Sequence, residues 1–272
     1  MELRYRLLNV FTRDGRPLTG NPLCVFEDGT SLDDAAMQAL ARQFNLSETT
    51  FLMPSARASA HVRIFTPSYE LPFAGHPTLG SAEVCRALGL GGDALTLEMR
   101  AGVIPVSAQG RRWMLAANPA RSREIECSRA RLAEQLGLTE QDIGERPLWV
   151  STGTEQLIVP LTSTAAVERA IPASAGFPGM AYVFAMAAPD RVLARFFFPQ
   201  GAAILEDPAT GSACANLGGW WIAMNREIPC NLMISQGEKI ERPSTLELAV
   251  EAGGQIRVSG EVIEIGRGTL RY

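Results

Sequence analysis

Arg63-Ile64-Phe65-Thr66-Pro67 recurs in outline 132 residues later as Arg195-Phe196-Phe197-Phe198-Pro199, an R-x-F-x-P pattern written twice. Shortly after each copy comes a turn of small residues, Ala74-Gly75-His76-Pro77-Thr78 in the first and Asp207-Pro208-Ala209-Thr210-Gly211-Ser212 in the second. Each turn opens a run rich in Ala, Gly and Ser: Leu79-Gly80-Ser81-Ala82, and Ala213-Cys214-Ala215-Asn216-Leu217-Gly218-Gly219. Upstream, Gly20-Asn21-Pro22-Leu23-Cys24-Val25-Phe26 compares with Gly153-Thr154-Glu155-Gln156-Leu157-Ile158-Val159. Correspondences in one order along the chain point to an internal duplication.

Around these landmarks the pattern is α+β. Strand-like runs cover Arg4–Phe11, Leu23–Phe26, His61–Phe65, Leu95–Met99, Trp113–Ala116, Leu157–Pro160, Tyr182–Met186 and Ile256–Val258. Ser31 is the expected cap of a helix beginning at Asp33 and Asp34, with Met37, Leu40 and Phe44 on one face. Ser128–Gly137 reads as a second amphipathic helix ended by glycine. Pro77–Leu88, with proline in its first turn, and Ala213–Ala223 are small and apolar on several faces. Such helices are buried, so each is expected at the centre of its own half, wrapped by strands. Asn118-Pro119-Ala120-Arg121-Ser122-Arg123 is the expected linker. The expected lobes are residues 1–119, with the C-terminal strand 262–272 a candidate addition, and 120–272.

The 272 residues are 46% hydrophobic and 20% charged, with a net charge of −4 and no basic run, which argues against nucleic acid or an anionic membrane as partner. The longest apolar run, Met180–Ala188, is far short of the roughly 20 residues of a membrane span. The N-terminus lacks a signal-peptide core, so the expected location is cytoplasmic. Five scattered cysteines without a CxxC pair, and two histidines, argue against a disulfide framework and against a metal site.

The turns carry the chemistry. The first N–H groups of a helix lack partners within it, and that end bears about half a unit of positive charge. Two such ends, at Gly75 and at Thr210-Gly211, would form a receptor for a carboxylate, the glycines allowing close approach. Either turn alone reads as an ordinary glycine turn; the matched positions favour the receptor. His76, between Gly75 and Pro77, is the titratable group in the first turn. Asp207 and Ser212 read equally as turn and cap residues. Glu48, after Leu46-Ser47, and Glu70 are nearby carboxylates that spacing alone does not single out.

At these residues the chain resembles the PhzF (phenazine biosynthesis-like) family. The matching pieces are Gly20-Asn21-Pro22, Leu46-Ser47-Glu48-Thr49, Glu70-Leu71-Pro72-Phe73-Ala74-Gly75-His76-Pro77-Thr78, Thr152-Gly153-Thr154, Asp207-Pro208-Ala209-Thr210-Gly211-Ser212-Ala213 and the late Gly266-Arg267-Gly268-Thr269-Leu270. The resemblance implies a diaminopimelate-epimerase-like fold, two pseudo-symmetric lobes each a curled sheet around a central helix, with the site between them, and a homodimer. It implies an isomerase that needs neither metal nor organic cofactor and acts on a small cyclic or amino-acid-like carboxylate. By motif, Glu48 is the implied general acid/base. His76 and Asp207 are implied to contact substrate and handle protons, and Gly75, Thr210, Gly211 and Ser212 to bind it. Epimerases of the same fold use two pre-glycine thiols; here those positions are Ala74 and Thr210, and Cys85 and Cys214 read as core. A racemase or hydro-lyase of the same fold, and a catalytically silent binding member, are the alternatives.

Overall fold

A computed structural model describes residues 1–173 and 176–272. The chain divides into two compact units, Met1–Ala116 with Ser259–Tyr272, and Ala117–Val258. The first holds β1 (Glu2–Val10), β2 (Asn21–Phe26), α1 (Asp34–Phe44), β3 (Glu48–Met53), β4 (Ala60–Phe65), β5 (Glu70–Leu71), α2 (Gly75–Ala87), β6 (Ala94–Met99), β7 (Gly102–Gln109) and β8 (Arg112–Ala116). The second holds β9 (Arg121–Glu124), α3 (Arg129–Gln135), β10 (Leu148–Ser151), β11 (Glu155–Pro160), α4 (Thr164–Arg169), β12 (Ala181–Ala188), β13 (Arg191–Gln200), β14 (Ala203–Asp207), α5 (Gly211–Ala223), β15 (Cys230–Gln236) and β16 (Ser244–Val250). Strand β17 (Ile256–Arg271) starts in the second unit and finishes in the first.

The same pairing plan is built twice. In the first unit β2 runs parallel to β3, β3 antiparallel to β4, β4 antiparallel to β5 and parallel to β6, and β6 antiparallel to β7. In the second, β11, β12, β13, β14, β15 and β16 repeat those relations in order. Because β1 pairs with β2 and β17, and β17 pairs with β8, eight strands of the first unit close into a barrel, which leaves no open edge. This is the α+β fold expected, a curled sheet about a central helix in each unit.

The central helices explain their composition. Helix α2 packs on β1, β2, β3, β4, β6 and β8, and α5 on β9, β10, β11 and β16. Surrounded helices have no solvent face, so bulk is excluded where strands approach. A Cβ on Gly80 would come within 2.4 Å of Leu23 Cδ2, and one on Gly219 within 2.6 Å of Ala120 Cβ. Helix α1 instead lies outside, burying Ala36, Met37, Leu40 and Ala41 in a cluster with Phe26, Phe51 and Phe65.

Three local expectations are corrected. Asp33, not Ser31, caps α1: its carboxylate accepts from Ala36 N–H, while the Ser31 hydroxyl turns to Met1. Asp is as good a cap as Ser, and its position one residue before the helix decides. The expected linker is half strand, since Arg121, Ser122 and Arg123 pair with Ser151, Val150 and Trp149. Helices α2 and α5 begin two residues earlier than expected, at the glycines, which makes Ala74 and Thr210 the N-caps and Ser212 a helical residue. Elsewhere Ser128 caps α3 and Gly137 follows it at φ +66°, as the sequence suggests. No helix among the described residues is long and apolar enough to cross a membrane.

Candidate active site

In the first unit, the parallel register of β2 and β3 sets Leu23 beside Glu48, the first residue of β3. Helix α2 starts against the same strands and brings His76, its second residue, to Glu48: Nε2 lies 3.5 Å from Oε2. The ring is buried, and it donates its other N–H to the Pro22 carbonyl of β2. Nε2 is buried with no hydrogen-bond partner among the described residues. Burial pushes the imidazole down to about 3, opposed by the bond to Pro22, so the ring is neutral and turns a lone pair towards Glu48. Ser47 and Asn21 stand on the same edge, with the Ser47 hydroxyl 3.2 Å from Asn21 Oδ1. The N-cap Ala74 offers no side-chain acceptor, so nothing covers the start of α2 from its own cap.

In the second unit, Asp207 ends β14 and Thr210 caps α5. The Thr210 hydroxyl donates to Asp207 Oδ2 at 2.5 Å instead of capping the helix. Gln236 of β15 clamps this turn, donating to the Asp207 carbonyl (2.9 Å) and to Thr210 Oγ1 (3.1 Å). Ser212 Oγ accepts from Gln156 of β11 at 2.9 Å, and Gln156 in turn accepts from Asn216 of α5 at 2.8 Å. Asn216 Oδ1 accepts both the N–H and the hydroxyl of Thr152, each at 2.8 Å. Buried amides are stable only when satisfied, and this network is satisfied throughout, which fixes the first turns of α5.

The sequence did not single out Pro22, Asn21, Gln156, Asn216 or Gln236 as site residues. An asparagine or glutamine reads as surface unless its partners are known, and only the Gly20-Asn21-Pro22 turn signalled its neighbourhood. Glu70, a lesser carboxylate candidate, is structural: Arg63 grips both its oxygens at 2.7 and 2.8 Å. That grip, opposed by partial burial, holds its carboxyl below the ordinary range. Cys85 and Cys214 are buried, and burial pushes the Cys85 thiol up to about 12 and that of Cys214 upward as well, so neither is a ready thiolate. No group of three His, Cys, Asp or Glu side chains suited to a metal ion occurs among the described residues.

Comparison with known proteins adds the name of the lineage. The model of the phenazine biosynthesis-like proteins, PhzC-PhzF, matches residues 8–267. The chain belongs to this family. Within the PhzF family it is 38% identical to an uncharacterised isomerase of Pasteurella multocida, over 98% of this chain and 93% of that one. It is 35% identical to the trans-2,3-dihydro-3-hydroxyanthranilate isomerase of Pseudomonas aeruginosa, over 94% and 95%. Among solved structures, the PhzF-family protein of Bacillus anthracis has a TM-score of 0.88 at 23% identity, covering 100% of both chains, which shows the shared fold. The chain thus stands among isomerases, as its resemblance implied.

Proposed function

We propose that this PhzF-family protein moves a proton between carbons of a small cyclic or amino-acid-like carboxylate, with Glu48 as the carrier. The contact between Glu48 Oε2 and the buried, acceptor-only Nε2 of His76 carries this reading. Nε2 offers an acceptor 3.5 Å from Oε2, placed to receive a hydrogen bond from Glu48 whenever Glu48 carries the proton. As a carboxylate, Glu48 takes a proton from the carbon that must lose it, and as the acid so formed it delivers that proton to the carbon that receives it. The cycle returns Glu48 to its starting state, so the net reaction is an isomerisation.

The constellation of Asp207, Thr210, Gly211 and Ser212 is, in this proposal, a substrate-binding turn of the second unit. In each unit a helix start without a side-chain cap, at Gly75 and at Gly211, supplies N–H groups and positive potential suited to a carboxylate. Asp207 meets neutral or cationic polar groups of the substrate. No step in this scheme calls on a group outside the chain.

The test is Glu48→Gln, which keeps the shape of the side chain but cannot take and return a proton. With trans-2,3-dihydro-3-hydroxyanthranilate in deuterated water, wild type should incorporate deuterium at the receiving carbon, and the variant should bind but turn over about 10²–10⁴-fold more slowly. A variant within a few-fold of wild type would move the proton carrier elsewhere, with Asp207 next.

A further inference from the structure

The second unit contains a buried hydroxyl that the scheme above leaves unused. Tyr182 of β12 stands directly opposite Phe196 of β13, and Phe196 stands directly opposite Asp207 of β14. Directly opposed residues of antiparallel strands project from the same face, so Tyr182 and Asp207 share one face across three strands. The ring packs against Phe196, centroids 6.3 Å apart. Its hydroxyl is fully buried and has no hydrogen-bond partner among the described residues.

Such an orphan is destabilising, a cost that phenylalanine at this position would not carry. The first unit shows what the fold does with a hydroxyl here. Thr50 of β3 is opposite Ile64 as Tyr182 is opposite Phe196, and Thr50 Oγ1 lies 3.0 Å from Ser81 Oγ, on the seventh residue of α2. The seventh residue of α5 is Leu217, which offers no partner. The hydroxyl of Tyr182 is therefore not tied to the central helix as that of Thr50 is. Its electrostatic neighbours are Cys214, in the first turn of α5, and Asp207. Burial first, then those two groups, raise its ionisation above the ordinary value, so it is a neutral donor.

We propose that Tyr182 is a positioning residue for Asp207, its hydroxyl donating through one bound water to the Asp207 carboxylate and fixing its orientation towards substrate. This rests on reading Asp207 as a site residue. From α5 the titratable group facing Tyr182 is Cys214, and from β14 it is Asp207. The β11 and β13 residues opposite it, Ile158 and Phe196, carry no charge. Arg195 and Glu206, one residue out of step on β13 and β14, pair with each other. Beyond Gly237, whose backbone abuts Pro208, lie Glu238, Glu241 and Arg242.

The test is Tyr182→Phe in the full chain, followed by carboxyl carbon-13 NMR, with the Asp207 signal assigned from Asp207→Asn. Loss of a donor to the anion should raise the Asp207 midpoint by about one unit. Turnover of trans-2,3-dihydro-3-hydroxyanthranilate should fall about tenfold in kcat, matching one unit, with KM little changed. An Asp207 titration that coincides in Tyr182→Phe and wild type overturns the proposal. A shifted Asp207 titration in a protein that does not turn over this compound in any form upholds it and rejects the substrate reading instead.

Discussion

In the first unit Arg63 grips Glu70 with two hydrogen bonds and lies over the Phe65 ring, 5.0 Å from its centroid. In the second, Arg195 grips Glu206 and lies 4.7 Å from the centroid of Phe197. The strand registers are the same: Glu70 opposite Phe65, Glu206 opposite Phe197. One residue further along β5 and β14, the match fails, with Leu71 in the first unit and Asp207 in the second. It fails again just before β3 and β12 align with β4 and β13, where Glu48 answers to Met180, and at the second residue of α2 and α5, where His76 answers to Ser212. What the duplication keeps is scaffold; where the copies differ are the groups with chemistry to offer.

The sharpest way to break this comparison is to cut the repeated ion pairs. Glu206→Gln leaves the partly buried Arg195 with the carbonyls of Val167, Glu168 and Ala170, and the loss should approach, without reaching, the roughly 3–5 kcal/mol that removing one partner of a fully buried pair costs. Glu70→Gln should cost less, since the Arg63–Glu70 pair is more exposed and Arg63 keeps Asp34. Denaturant unfolding measures both losses. Turnover by the folded fraction should stay within a few-fold of wild type in each, and a collapse in Glu70→Gln would return Glu70 to the catalytic list.

A second effect should be confined to one copy. His76 is held at about 3 against an ordinary 6.5, so between those values the unfolded chain binds a proton that the folded chain does not. Stability is then complete above about 6.5 and declines as pH falls towards 3, by up to about 1.4 kcal/mol per pH unit from this one group. Subtracting the profile of His76→Gln from that of wild type should leave this slope. Ser212→Ala, at the matching place, should leave none. Parallel profiles for wild type and His76→Gln would mean that the imidazole is not held neutral.

The fold was legible because its signals are local. R-x-F places guanidinium and ring on one face of a strand, and a small-residue run after a glycine turn announces a buried helix. Much of the candidate site could be proposed for the same reason, His76 and Asp207 lying in the turns themselves. The meeting of Glu48 with His76 was not, because it depends on the parallel register of β2 and β3 and on Pro22 supplying the acceptor that orients the ring. Glu70 misled because the sequence does not reveal that Arg63 reaches it. The Gln156–Asn216–Gln236 amides were invisible, their burial and partners being set by four separate elements.

The smallest effect expected lies in the outer helices, where the copies agree in device and differ in extent. Asp33 caps the eleven-residue α1 by accepting from Ala36 N–H, and Ser163 caps the six-residue α4 by accepting from Ala166 N–H. In both, the side chain satisfies a donor that the first turn leaves open. Asp33 adds a negative charge at the positive end of a longer helix, and that charge interacts favourably with the aligned peptide dipoles. Asp33→Ala should therefore cost about 1 kcal/mol, near the middle of the range for lost caps, and Ser163→Ala somewhat less. Ser31→Ala, the residue that sequence pattern alone would choose, should be close to neutral because its hydroxyl meets Met1 at an exposed site. Chemical denaturation of the three variants orders them directly. A Ser31→Ala loss equal to that of Asp33→Ala would restore Ser31 as the cap and move the start of α1 towards it.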